Sequence, residues 1–202
     1  MKRLGILLSG RGSNFLAIAK AIREQRLLGA KIAVVLSNRE DAAGLEAARD
    51  LKIPAFAIPS AGHKRREHDA EVMARLHQHR VDLICLAGYM RVITEEFVRA
   101  FPNRILNIHP SLLPAFPGLD AQRQALEYGA KVAGCTVHFV DEAVDHGVII
   151  LQKAVPIKEE DTVETLSARL LQQEHAIYPE AIARVLSGQY IIEDRRYVRR
   201  DK

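Results

Sequence analysis

Leu4-Gly5-Ile6-Leu7-Leu8-Ser9-Gly10-Arg11-Gly12-Ser13-Asn14 carries an apolar run straight into a glycine-rich loop. A short apolar run closed by Gly10 and Gly12 reads as a buried strand. Beyond the loop, Phe15, Ile18 and Ile22 recur at helical spacing, so the sequence predicts a helix over 14–27 with Asn14 at or near its cap. Strand, glycine loop, helix is the opening unit of an α/β fold, and the pattern repeats. Strands are expected over 31–37, 55–58 and 82–87, and helices over 41–51 and 66–77. This alternation predicts right-handed crossovers and a parallel sheet covered on both faces.

Downstream the pattern loosens. A short helix is expected over 95–100, a strand over 104–108 and a stiff loop over 110–118, which holds three prolines. A helix over 121–128 follows. Two β-rich runs, 132–140 and 148–155, flank an acidic loop, so this part of the sheet should be mixed. The stretch 162–186 reads as helical but interrupted at Pro179. The expected fold is a single α/β domain over 1–202, Rossmann-like, mostly parallel, with a mixed C-terminal portion.

Composition narrows the function classes. The chain has 202 residues, 48% hydrophobic and 27% charged, which excludes wholesale disorder. No run approaches the ~18 apolar residues that a membrane span needs. The apolar stretch after Met1 is too short for a secretory signal, so a cytoplasmic protein is expected. Cys85 and Cys135 sit in apolar runs and read as reduced packing residues. Net charge is +4, Trp is absent and aromatics are 5%. That leaves little stacking surface for nucleic acid and suits small anionic ligands. The basic run Lys64-Arg65-Arg66 and the basic tail from Arg195 read as solvated surface.

The loop Ser9 to Asn14 feeds a helix N-terminus, where free N–H groups and the dipole favour an anion. It lacks the Gly-Lys-Ser/Thr of a Walker loop. It also lacks a dinucleotide fingerprint: Phe15 replaces the third glycine, and Ser37-Asn38 stands where an acid is wanted. It therefore fits a single phosphate, and otherwise is a tight turn.

The second chemical signal is Ile105-Leu106-Asn107-Ile108-His109-Pro110. Alternation along a strand puts Asn107 and His109 on one face. Pro110 cannot donate to the ladder and ends the strand. In open α/β sheets, ligands bind at the carboxyl ends of strands. A carboxamide beside an imidazole suits acyl transfer, since both can donate to an oxyanion and the imidazole can move a proton. A carboxylate would raise the imidazole's basicity and aim it. Asp141, Glu142 and Asp145 all qualify, and spacing does not choose among them. There is no Gly-x-Ser-x-Gly, Cys-x-x-Cys or His-Glu-x-x-His, and His77 and His79 face different ways on a helix, so no metal is expected.

In the last long helix, Asp161 reads as the N-cap with Glu164 at N3. The apolar stripe Val163, Leu166, Leu170, Ile177, Ala181, Val185 then includes Glu174. A buried carboxylate needs a partner or a ligand.

Four stretches together resemble the phosphoribosylglycinamide formyltransferase family, the folate-dependent enzymes of purine synthesis. They are Ser9-Gly10-x-Gly12-Ser13-Asn14, Ala87-Gly88-Tyr89-Met90-Arg91, Leu106 to Pro114, and Gln173-Glu174-His175-Ala176-Ile177-Tyr178-Pro179. The resemblance covers nearly the whole chain. It implies that Gly12, Ser13 and Asn14 hold the ribose phosphate of glycinamide ribonucleotide, and that Glu174 touches the same substrate. It implies that Met90, Arg91, Val92 and Ile93 line a pterin pocket, that Asn107 also meets the folate, and that Arg66, or its neighbour Arg65, lies near the folate tail. Asn107, His109 and Asp145 would be the catalytic trio; the family match selects Asp145 by its place two residues before Gly147. The co-substrate implied is 10-formyltetrahydrofolate, with no metal. Residues 1–100 would form a phosphate-binding half and 101–202 a folate-binding and catalytic half. The partners implied are small molecules, with neither nucleic acid nor membrane, in a monomer or homodimer. The alternatives are a formyltetrahydrofolate hydrolase, another 10-formyltetrahydrofolate-dependent formyltransferase, or a non-catalytic folate- or nucleotide-binding regulator. A tRNA formyltransferase is expected to carry an extra domain after the last helix and a hydrolase one before the first strand, so both are expected to be the weaker alternatives.

Overall fold

The computed structural model describes residues 1–200, which form two compact units, Met1–Asn107 and a second from Ile108 onward. In the first unit, strands and helices alternate as β1 (Lys2–Leu8), α1 (Ser13–Arg23), β2 (Ala30–Ser37), α2 (Ala43–Asp50), β3 (Ala55–Ala57), α3 (Arg65–Gln78), β4 (Leu83–Leu86) and α4 (Glu95–Ala100). The strand β5 (Ile105–His109) crosses the division. Every pairing in this unit is parallel: β1 with β2 and β4, β2 with β3, and β4 with β5.

β1 lies between β2 and β4, and Leu4, Ile6, Leu7 and Leu8 are fully buried on both of its faces. A strand covered on both sides must be apolar throughout rather than alternating, which is why Leu4 to Leu8 is a continuous run. Each such side chain contributes roughly 1.5–3 kcal/mol on burial. Phe15 and Ile18 of α1 are fully buried, as their spacing predicts.

The second unit holds α5 (Ala121–Tyr128), β6 (Val132–Phe139), β7 (Ile149–Pro156), α6 (Val163–Leu186), β8 (Tyr190–Glu193) and β9 (Arg196–Arg199). β6 and β7 are antiparallel, β7 and β9 are parallel, and β8 and β9 form an antiparallel hairpin. The mixed C-terminal portion is therefore present. Ala133 of β6, Val155 of β7, and Leu166 and Leu170 of α6 share one buried cluster.

Three local expectations are corrected. α6 runs unbroken through Pro179. The missing N–H removes one bond to the preceding turn, but Tyr178, Ala181 and Ile182 are fully buried, and their packing keeps the helix continuous. Its cap is Thr162, not Asp161. Thr162 Oγ1 accepts the Thr165 N–H, and Thr165 Oγ1 accepts the Thr162 N–H. Asp161 is instead engaged by Arg169 through two bonds of 2.7 Å. Finally, α1 is capped by Gly12, in the left-handed region with φ 74°, rather than by Asn14. A Cβ at Gly12 would stand 3.0 Å from the Gly44 Cα, so that position has room only for glycine.

Candidate active site

β5 runs one residue further than expected, so Asn107 and His109 both lie within it. Alternation places the two side chains on one face of that strand. His109 is 5% exposed. Its Nε2–H donates to the Phe116 carbonyl at 2.9 Å, and its Nδ1 stands 3.3 Å from Asp145 Oδ2. Both ring nitrogens therefore face oxygen atoms.

Asp145 is the convergence point of the second unit. Its Oδ2 accepts the Gly118 N–H at 2.9 Å, and its Oδ1 lies 3.7 Å from His138 Nε2. The backbone of Asp145 is left-handed, with φ 51°. Aspartate tolerates this at a cost of roughly 1 kcal/mol. Burial pushes the carboxyl up, but the bond from His138, the Gly118 N–H and the charges on the two imidazoles outweigh it. The carboxyl is held below its ordinary value, so it stays ionised beside two imidazoles. Asp141 is drawn elsewhere: its Oδ2 accepts from His146 Nδ1–H at 2.9 Å.

The loop that carries Phe116 and Gly118 is stapled in place. Thr136 Oγ1 donates to the Ser111 carbonyl at 2.6 Å and accepts the Leu113 N–H at 3.1 Å. Gln152 Nε2 donates to the Leu113 carbonyl at 2.9 Å. Ser111 Oγ closes the loop on the Ala115 carbonyl at 2.6 Å. Stiffness here comes from buried polar bonds as much as from proline.

Glu174 is 8% exposed, on the buried stripe of α6. Burial, and then the charge of Glu174, push the Cys135 thiol up to about 12. Cys135 is thus a protonated packing group rather than a nucleophile. Cys85 and Cys135 are both free and buried.

In the first unit, α1 opens with Ser13, half-buried, and Asn14, buried. The segment Met90–Ile93 is tied at both ends by buried side chains. Ser9 Oγ accepts the Met90 N–H at 2.8 Å and donates to Asn38 Oδ1 at 2.5 Å. Asp69 Oδ2 accepts the Thr94 N–H at 2.7 Å. Between those ties, Met90 is 65% and Val92 49% exposed, an apolar surface on a fixed backbone. Arg66 is exposed and paired with Glu96 at 3.0 Å. Arg65 is the first residue of α3 and is also exposed.

A sequence family described as formyl transferase matches residues 2–182. The chain belongs to the formyl transferase family. It is 44% identical over 187 residues to phosphoribosylglycinamide formyltransferase of Bacillus subtilis, covering 92% of this chain and 95% of that one. A crystal structure of glycinamide ribonucleotide transformylase 1 from Symbiobacterium toebii superposes with a TM-score of 0.96 at 55% identity, covering 100% of this chain and 95% of that one. The chain is also 47% identical over 193 residues, 95% of its length, to the trifunctional purine biosynthetic protein adenosine-3 of Drosophila melanogaster, but spans only 14% of that protein.

Reading this formyl transferase from sequence missed three contributors to the Asp145 cluster. His138 and Thr136 are the two polar side chains of β6, at alternate positions on one face of a largely apolar strand. Phe116 and Gly118 act through backbone atoms, which leave no side-chain signature. Among the described residues, no group of three or more His, Cys, Asp or Glu side chains is placed to hold a metal ion, and no helix is long and apolar enough to cross a membrane.

Proposed function

We propose that this formyl transferase moves a formyl group from 10-formyltetrahydrofolate to the amine of glycinamide ribonucleotide, in the cytoplasm, as a step of purine synthesis. The observation that carries the reading is the ionised Asp145 set against His109, two residues along β5 from Asn107. Binding a folate or a nucleotide needs no such arrangement, whereas stabilising a developing oxyanion does.

The amine nitrogen attacks the formyl carbon, and negative charge develops on the formyl oxygen. The Asn107 carboxamide N–H and the His109 imidazolium donate to it. Asp145 keeps His109 charged and aimed. For His109 Nε2–H to reach the formyl oxygen, that oxygen takes the place now held by the Phe116 carbonyl. As the intermediate collapses, the bond from carbon to the folate nitrogen breaks. The attacking nitrogen loses one proton and the folate nitrogen gains one, so no metal and no covalent enzyme intermediate is needed. In this reading the single domain divides its labour: Gly12, Ser13 and Asn14 in the first half hold the ribose phosphate. Glu174 orients the glycinamide end, and the exposed apolar Met90–Ile93 segment takes the pterin. Either Arg66 or Arg65 meets the folate's carboxylate tail.

The test is to mix the protein with 10-formyltetrahydrofolate, with and without glycinamide ribonucleotide, and follow formyl transfer. Turnover that requires the ribonucleotide supports the reading. Deformylation at the same rate without it would assign a hydrolase, transfer to a different amine would assign another formyltransferase, and binding without turnover would assign a regulator.

A further inference from the structure

The basic C-terminal tail reads from sequence as solvated surface. In the structure its residues 195–199 belong to the β8–β9 hairpin, which grips the loop that carries Asp145. Arg195, at the hairpin turn, donates from Nη2 to the His146 carbonyl at 2.5 Å and from Nη1 to His146 Nε2 at 3.3 Å. The same imidazole donates from Nδ1–H to Asp141 Oδ2 at 2.9 Å, and Asp141 Oδ1 accepts the Ala143 N–H at 3.1 Å. One guanidinium therefore closes a chain of bonds across the loop from Asp141 to His146, the residue next to Asp145. The hairpin also holds both strand ends that flank the loop. Tyr197 packs edge-on against Phe139, the last residue of β6, with ring centroids 5.5 Å apart. Arg196 pairs with Ile149, the first residue of β7. The hairpin lies outside the stretch 2–182 that matches the family.

We propose that the β8–β9 hairpin is a strap on the Asp141–Gly147 loop, and that Arg195 is a positioning residue for Asp145. Asp145 holds a left-handed backbone, which persists only when its surroundings over-determine it. The bond from Gly118 and the two facing imidazoles hold the side chain. The strap holds the backbone at His146 directly, and adds to the restraints that the loop makes within itself through Asp141. Arg195 is exposed and the contact is a fork of two donors, so the strap can be cut without disturbing the core.

The proposal rests on Asp145 serving turnover as described above, and the experiment separates the two. In Arg195→Met, hydrogen exchange at the amides of 142–147 is expected to quicken about tenfold, the equivalent of one charge-assisted hydrogen bond. The kcat for formyl transfer falls by a similar factor, while KM for the ribonucleotide and the Tm stay near wild type. Arg195→Lys, which keeps a cationic donor, restores much of both. Unchanged exchange in Arg195→Met overturns the strap. Faster exchange with wild-type kcat overturns the positioning role. If the wild-type protein transfers no formyl group, the transferase reading fails, and the exchange measurement still decides whether the hairpin restrains the loop.

Discussion

Asp145 Oδ2 stands 3.3 Å from His109 Nδ1, while the other oxygen of the same carboxylate faces His138 Nε2 at 3.7 Å. One ionised group thus serves two imidazoles, and only one of them lies on β5 with Asn107. Replacing the carboxylate with the isosteric amide keeps the shape and removes the negative charge that faces His109. Asp145→Asn is expected to lower kcat by about 10²–10³. His109→Ala should lower it by at least about 10². In both variants the KM for the ribonucleotide should change little, because neither group is assigned to the phosphate. Steady-state kinetics with both substrates varied checks this, and wild-type turnover in His109→Ala would remove the imidazole from the chemistry.

The phosphate assignment predicts the opposite split. Ser13→Ala combined with Asn14→Ala removes side-chain donors at the start of α1 and leaves the Asp145 cluster intact. The KM for glycinamide ribonucleotide should rise about tenfold or more, with kcat close to wild type. Glu174→Gln should act the same way if Glu174 orients that substrate. An unchanged KM in the Ser13, Asn14 double variant would leave the loop as a tight turn with no ligand.

The contrast between the two groups of residues reflects what a sequence can encode locally. The strand–loop–helix of Leu4 to Leu27 was legible because periodicity and glycine placement act over neighbouring residues. Asn107 and His109 were legible for the same reason: alternation and Pro110 fix their common face. The choice of Asp145 over Asp141 and Glu142 was not legible from spacing. It depends on a left-handed residue and on Asp141 being drawn off by His146, both tertiary facts. Thr162 displaced Asp161 as a cap because Arg169, two turns along α6, takes the Asp161 carboxylate. The hairpin escaped notice because its strands are only four residues long and show no alternation: Tyr197 and Val198 sit side by side between Arg196 and Arg199.

The Asp161–Arg169 pair makes an acid-stability prediction. The Arg169 guanidinium, the Lys158 N–H and the Thr165 hydroxyl hold the Asp161 carboxyl far below its ordinary value of 3.8. A carboxyl whose native pKa is depressed contributes stability above its unfolded pKa and loses it as the pH falls toward the native one. Wild type should therefore lose this contribution progressively below about pH 4, where the unfolded chain takes up the proton first. In Asp161→Asn the urea midpoint should be lower than wild type at pH 7, and the gap should narrow as the pH falls from 4 toward 2. A constant gap across that range would show that the pair contributes packing rather than charge.

Gly147 supplies the sharpest steric test of the loop. A Cβ there would overlap the Phe139 carbonyl oxygen and sit 2.7 Å from the carbonyl carbon. The obstacle is backbone, and it cannot retreat: the Phe139 N–H is bonded to the Val148 carbonyl at 2.9 Å, at the end of the β6–β7 ladder. An added methyl must therefore push the loop, and Asp145 is two residues away. Gly147→Ala should cost about 1–3 kcal/mol of stability, as overpacking does. It should also lower kcat by up to about 10², the scale of a displacement near 1 Å at a catalytic group. Loss of stability and loss of rate have different signatures. If the methyl acts by moving Asp145, then adding Gly147→Ala to Asp145→Asn should lower kcat little further, since the group it displaces no longer carries the charge. Thermal denaturation and kinetics of the two single variants and the double variant provide the check. Full additivity of the two rate losses would show that Gly147 shapes something other than the Asp145 contact.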